Sequence, residues 1–232
     1  MFLDYVKEVD NVNMIGLGLA KARLLGCNNF WKYDNLYIVD DALVGCTSDE
    51  DEIVIEIPEG ITHFALCELD DDEYYNGFHD LNYYRKIKVI NHTKSFHSCR
   101  TMFYDCRETV SIDLTEFDTS NIDDMTGMFC ECHSLKEVRW GGYPTDKVKS
   151  MREMFFKCSS IESINLSGFS FESVEDMYCM FMLCTSLKDL KMEVSEAPHL
   201  KDYFSLFFSC NSLPANFQTS FYRNLSNVAR RR

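Results

Sequence analysis

The chain has 232 residues, with 23 Lys or Arg against 37 Asp or Glu and a formal net charge of −14. That length suffices for one domain with a sizeable core. The acidity argues against a protein that holds nucleic acid by neutralising its phosphates, and no run approaches the ~18 apolar residues of a membrane helix.

Taken in order, the first stretch does not repeat, and residues 1–45 are expected to form an N-terminal cap. Met1-Phe2-Leu3-Asp4-Tyr5 has no basic start and no unbroken apolar segment, unlike a secretory leader. It points to a protein working in the cytoplasm, unless a leader precedes it. Met14 to Leu25 is apolar, with Lys21 and Arg23 interrupting, and Gly26 suits the residue that ends a helix. Gly16-Leu17-Gly18 with Lys21 has the spacing of neither known glycine-rich phosphate loop. Leu36 to Val39 and Ala42 to Val44 flank Asp40-Asp41 and predict a hairpin. Ile53 to Ile57 predicts a strand closed by the turn Pro58-Glu59-Gly60.

Charge is placed unevenly. Residues 1–85 carry 18 acidic and 5 basic side chains, a net of −13, so nearly all of the imbalance lies in this third. Within it, Asp70, Asp71, Asp72 and Glu73 precede Tyr74 and Tyr75, and Tyr83-Tyr84 follow. Acidic groups interleaved with tyrosine suit a basic protein partner, the charges steering encounter and the rings burying apolar area. A solvated acidic loop is the plainer reading of the same residues.

From about residue 99 to 213 the sequence repeats every 26 residues. The five copies carry Met102-Phe103, Met128-Phe129, Met154-Phe155, Met180-Phe181 and Leu206-Phe207, each followed by a cysteine at 106, 132, 158, 184 or 210. Such a period marks units that bury their apolar faces only against neighbours. Met125, Met128, Phe129 and Cys132 stand at i, i+3, i+4 and i+7, which predicts one face of a short helix. Ser120 or Asn121 with Asp123 suggests its N-terminal cap. Beyond Leu135 the apolar period falls to two, at Val138 and Trp140, as at Ile112 and Leu114, which predicts a strand. The fold expected is α/β, a solenoid spanning residues 46–213 with a parallel strand ladder and short helices on the opposite face. Residues 214–232 form a C-terminal cap and a basic tail, Arg230-Arg231-Arg232.

The phrase from Ile112 to Leu135, with Phe117-Asp118-Thr119-Ser120-Asn121-Ile122 and the Met-x-x-Met-Phe-x-x-Cys run after it, resembles the BspA-like leucine-rich repeats. These repeats also occur in mycoplasma surface proteins. Ile57-Pro58-Glu59-Gly60-Ile61-Thr62 is similar to a related repeat phrase. The resemblance, over roughly residues 53 to 213, implies a curved leucine-rich-repeat solenoid that binds other macromolecules, and it supplies no catalytic residue.

The 11 cysteines are odd in number and five occupy one repeated apolar position, so reduced thiols are expected. Helices packed ~8–10 Å apart would keep equivalent cysteines out of disulfide range. Cys130-x-Cys132 with His133 is the one close cluster of metal-ligand types, and Cys132 is expected to point inward and Cys130 elsewhere. No cofactor or metal is implied. The six histidines share no repeat position, and no nucleophile or general-base motif is present, so an enzyme is not expected. Asp113, Arg139, Asn165 and Lys191 form one outward column of the strands, with Ser111, Glu137, Ser163 and Asp189 beside it. Asp113, Arg139 and Lys191 are therefore candidate partner-binding residues beside the acidic stretch.

These readings converge on a non-catalytic module that occupies the surface of another protein, one with a basic face, and that contacts neither nucleic acid nor membrane. The specific version is an inhibitor of a nucleic-acid-binding protein or host defence complex, of viral or mobile-element type. The alternative is a structural or adhesive surface protein like the secreted members of the repeat family.

Overall fold

The computed structural model describes residues 30–33, 36–39, 42–46, 51–64, 66–69, 73–76, 81 and 84–229. The expected helix over Met14–Leu25, the tail Arg230–Arg232 and the acidic residues Asp70 to Asp72 lie outside the described residues.

The fold is mixed α/β, with parallel strands and, among the described residues, one helix. Strands β1 (Phe30–Tyr33), β2 (Leu36–Val39) and β3 (Ala42–Cys46) pair antiparallel in sequence. The expected hairpin is β2–β3, closed at the pair Val39 and Ala42. Strand β5 (His63–Phe64) joins β3 in parallel. Strands β6 (Leu66–Leu69) and β7 (Glu73–Asn76) form a separate antiparallel hairpin.

The central parallel sheet runs β10 (Glu137–Trp140), β9 (Ser111–Leu114), β8 (Lys86–Ile90), β4 (Glu52–Glu56). Its register sets Ile53 beside Ile87, Ile87 beside Ile112, and Ile112 beside Val138. The alternation read in the sequence is thus real: Ile53, Ile55, Ile87, Val89, Ile112 and Leu114 are buried while their neighbours face outward. Strands β11 (Ser163–Asn165) and β12 (Asp189–Lys191) form a second parallel pair, with Ile164 beside Leu190. The ladder is interrupted between β10 and β11. There Trp140 stands edge-on to Phe129 and Phe169, at 5.8 and 5.0 Å between ring centroids, where other units carry Leu or Met.

Opposite the strands, each 26-residue unit contributes one Met-Phe segment, and here the sequence reading needs correction. The segments near 99–106, 125–132, 151–158, 177–184 and 203–210 are not helices but runs of linked turns. Two residues in each have positive φ: Thr101 and Asp105, Gly127 and Glu131, Glu153 and Lys157, Cys179 and Leu183, Ser205 and Ser209. Backbone bonding alternates accordingly. The N–H groups of Met102, Tyr104 and Cys106 close turns onto Cys99, Thr101 and Phe103. Those of Cys99, Thr101, Phe103 and Asp105 cross to the carbonyls of Asp124, Thr126, Met128 and Cys130 in the next unit. The same four crossings recur from the second unit to the third, the third to the fourth and the fourth to the fifth.

The reason is spacing. Strands of successive units lie ~4.8 Å apart, whereas packed helices need ~8–10 Å. A helix on the opposite face would therefore splay the units, and a flat turn run keeps both faces at one rise. The i, i+3, i+4, i+7 spacing remains as the inward face of that run. A left-handed non-glycine residue costs ~1–2 kcal/mol, and the inter-unit hydrogen bonds offset it. The capping box expected at Ser120 and Asp123 is likewise absent. Instead Asp118 accepts from the N–H of Ser120, and Asp124, Asp176 and Asp202 accept from the N–H groups of Thr126, Tyr178 and Phe204.

The core follows the columns. Phe103, Phe129, Phe155, Phe181 and Phe207 stack ring on ring at 5.4, 5.0, 5.8 and 5.6 Å. Methionines 102, 128, 154 and 180 are fully buried beside them. Helix α1 (Ala215–Ala229) closes this stack, setting Phe221 edge-on to Phe207 at 5.3 Å and burying Leu225 and Val228.

The repeated cysteine has a bonding role that its column did not reveal. The thiols of Cys132, Cys158, Cys184 and Cys210 donate to the carbonyls of Phe103, Phe129, Phe155 and Phe181 in the preceding unit, at 2.8–3.0 Å. Cysteines 99, 106, 130, 132, 158, 179, 184 and 210 are all free. The helix-spacing argument against disulfides does not apply, since the segments are not helices. What holds the thiols is burial, which pushes Cys158 and Cys184 well up, and hydrogen bonding to carbonyls.

Candidate functional site

Two outward faces run along the units. On the strand face, the predicted column begins with Asp113 and Arg139, which the parallel register sets side by side. The Arg139 guanidinium donates to Asp113 Oδ2 at 2.8 Å, and the N–H and hydroxyl of Thr115 donate to Asp113 Oδ1. Partial burial pushes the Asp113 carboxyl up. The Thr115 hydrogen bonds and the charges of Arg139 and Lys88 outweigh this and hold it below its ordinary value. Lys86 pairs with Glu52, Lys88 with Glu116 and Lys188 with Glu162. Lys191 lies apart from Asp113 and Arg139, in the other parallel pair, with Asn165 as its register neighbour. Much of this face's charge is thus already matched across neighbouring strands.

The acidic stretch contributes Glu73, Tyr74 and Tyr75 to β7, in register with Leu69, Glu68 and Cys67. Glu68 and Glu73 therefore belong to the same two-stranded hairpin, apart from the parallel sheet. Asp70, Asp71 and Asp72 stand between its strands in sequence and outside the described residues.

The face formed by the Met-Phe segments was missed by the sequence reading. Its first outward column is Arg100, Thr126, Arg152, Tyr178 and Phe204, and its second is Tyr104, Cys130, Phe156, Met182 and Phe208. Arg100 and Arg152 bridge to Asp124 and Asp176. The Arg152 guanidinium lies over the Tyr178 ring at 4.0 Å, and Tyr178 stacks on Phe204 at 6.3 Å. Lys157 pairs with Glu131 and lies 5.0 Å over Phe156. Phe204 and Phe208 are 70% and 58% exposed, an unusual cost for rings of that size. They border an open hollow of about 630 Å³ that also reaches Gln218 and Tyr222 of α1. The signal was present in the 26-residue alignment, as two further columns, the first turning aromatic at Tyr178 and Phe204 and the second carrying large apolar or aromatic residues at four of its five positions.

Among the described residues no three His, Cys, Asp or Glu side chains group as metal ligands. Cys132 points inward into the core as expected, while Cys130 stands in the other column, covered there by its neighbours, and burial pushes its thiol far up.

A family model described as "Mycoplasma protein of unknown function, DUF285" matches residues 97–221, more than half of the chain. The chain belongs to that family. The match spans all five Met-Phe segments and the first part of α1, so the DUF285 portion is the stacked portion with its closing helix. No curated protein and no solved structure matches the chain. No helix among the described residues is long and apolar enough to cross a membrane.

Proposed function

We propose that this DUF285 chain is a non-catalytic protein-binding module, and that its units continue as a curved leucine-rich-repeat solenoid of the BspA-like kind. The observation that carries this is the pair of exposed rings, Phe204 and Phe208, held on hydrogen-bonded backbone at the end of an aromatic column. Large rings on a rigid surface beside a hollow are the residue types on which interface energy concentrates. The test is capture of proteins from the source organism on immobilised chain, comparing wild type with a Phe204→Ser, Phe208→Ser variant. The variant should lose the partner while keeping its melting temperature. A wild-type chain that retains no protein at any salt concentration sinks the reading.

A second surface is favoured by the net −13 of residues 1–85. In this version Asp70 to Glu73 steer a basic partner and Tyr74 and Tyr75 anchor it. The partner would be a nucleic-acid-handling protein that the chain blocks. Changing Asp70, Asp71, Asp72 and Glu73 to Ser should then slow association at low salt and matter less as salt screens the charges. Changing Tyr74 and Tyr75 to Ala should speed dissociation at every salt concentration. Unaltered kinetics in both variants would remove this surface. The adhesive alternative needs the chain on a cell exterior, and protease accessibility on intact cells decides that.

A further inference from the structure

In the stack, the four forward-facing N–H groups of each Met-Phe segment are taken by carbonyls of the next segment. The fifth segment has no successor. The N–H of Phe207 is taken by the Tyr222 hydroxyl of α1, at 3.3 Å. The N–H groups of Tyr203, Ser205 and Ser209, which occupy the other three crossing positions, have no partner among the described residues. Helix α1 thus closes the core side of the stack and leaves its outer rim open. That rim borders the hollow of about 630 Å³, with Phe204 and Phe208 exposed beside it.

We propose that this rim is a docking site for a segment of a partner protein that lies on it as a sixth rung, offering backbone carbonyls to Tyr203, Ser205 and Ser209. The inference rests on the protein-binding reading above and names the surface and the chemistry. An unpaired row of backbone groups is a template for another chain. The polarity of the row selects the occupant. At this edge the crossing groups are donors only, because the carbonyls of Asp202, Phe204, Leu206 and Phe208 already accept from the fourth segment. Two copies meeting rim to rim would set donor against donor, so the occupant is an acceptor-bearing segment and not the same rim of a second copy. The columns select its side chains as well. Tyr178 stacks on Phe204 within the array, and Met182 precedes Phe208 in the adjacent column. The occupant should carry an aromatic residue and, four positions later, a second large apolar residue.

The probe is a synthetic peptide with the sequence of residues 175–186, carrying Cys179→Ser and Cys184→Ser, titrated into the isotope-labelled full chain. In the free chain the amides of Tyr203, Ser205 and Ser209 should exchange fast and that of Phe207 more slowly. Bound peptide should slow the first three by about tenfold or more, as new hydrogen bonds at a rim require. Phe204→Ser with Phe208→Ser should weaken the peptide by about tenfold or more, as loss of two anchor rings does. A peptide carrying Tyr178→Lys and Met182→Lys should bind no better than that. Binding without protection of the three amides overturns the proposal, as does absence of binding. So does a doubling of mass in solution that the phenylalanine variant abolishes, since the occupant would then be a second copy. If the peptide fails while the phenylalanine variant still loses its captured partner, the rim is wrong and the protein-binding reading stands. If the wild-type chain captures nothing either, both fall.

Discussion

The strand face and the Met-Phe face of this molecule share one 26-residue period and differ in how they spend it. On the strand face, extended backbone puts alternate side chains outward, and charges 26 residues apart meet across the sheet, as Asp113 and Arg139 do. On the Met-Phe face, alternating backbone hands give every crossing N–H one direction, and the outward side chains pass from Arg100 and Arg152 to Tyr178 and Phe204. The lesson is that equal periodicity does not make equal surfaces. A register that neutralises its own charges leaves little to attract a partner, whereas a one-way hydrogen-bonded row ends in an unsatisfied edge.

The contrast is tested most severely in the core that both faces share. Phe155→Ala empties a fully buried site between Phe129 and Phe181 and should cost about 3–5 kcal/mol, read from denaturant midpoints. Glu137→Ala, on the exposed strand face, should stay within about 0.5 kcal/mol. Equal midpoints would mean that inward and outward are wrongly assigned.

Next in size comes the cysteine column. Cys158→Ala removes a buried thiol and its bond to the Phe129 carbonyl and should cost roughly 1–3 kcal/mol. Cys158→Ser keeps a donor in place and should lose less. A serine variant less stable than the alanine one would make the column a matter of packing alone.

The backbone of the Met-Phe face is probed at Gly127, the one glycine among the ten left-handed positions in the five segments. A Cβ there would lie 3.4 Å from Thr101 Cγ2 and 3.7 Å from Cys130 Cβ, so there is room for it. The φ of 59° makes Gly127→Ala cost about 1 kcal/mol by strain. Gly141 on the strand side is a different case. Its Cβ would stand 2.6 Å from the Thr115 carbonyl oxygen, so Gly141→Ala should cost more. The reverse order would show that the turn runs are more strained than their bonding implies.

The smallest effects belong to the exposed ion pairs. Arg139→Ala should cost about 0.2–1 kcal/mol and less in high salt. Asp113 carries a folded-state pKa below its ordinary value, so its contribution is complete above that value and is lost as pH falls through the lowered one. Asp113→Asn should therefore flatten the acid limb of the stability profile and leave its slope at neutral pH unchanged.

Much of this was legible from residue order. The Met, Phe and Cys columns, the strands at Ile112, Val138, Ile164 and Leu190, the β2–β3 hairpin and the strand-face column all follow from apolar period and turn residues. Those features depend on which residues are apolar and how far apart they stand, and sequence records both. Three things were decided only in three dimensions. The spacing i, i+3, i+4, i+7 fits a helix and a flat turn run equally, and the ~4.8 Å rise imposed by the parallel strands chose the latter. The bonds from the thiols of Cys132, Cys158, Cys184 and Cys210 to carbonyls 29 residues earlier join groups that only stacking brings together. The open rim exists because Tyr222 of α1 reaches Phe207 and not Tyr203, Ser205 or Ser209. Which backbone donors a closing helix satisfies depends on where that helix packs, and no local pattern in the chain carries that information.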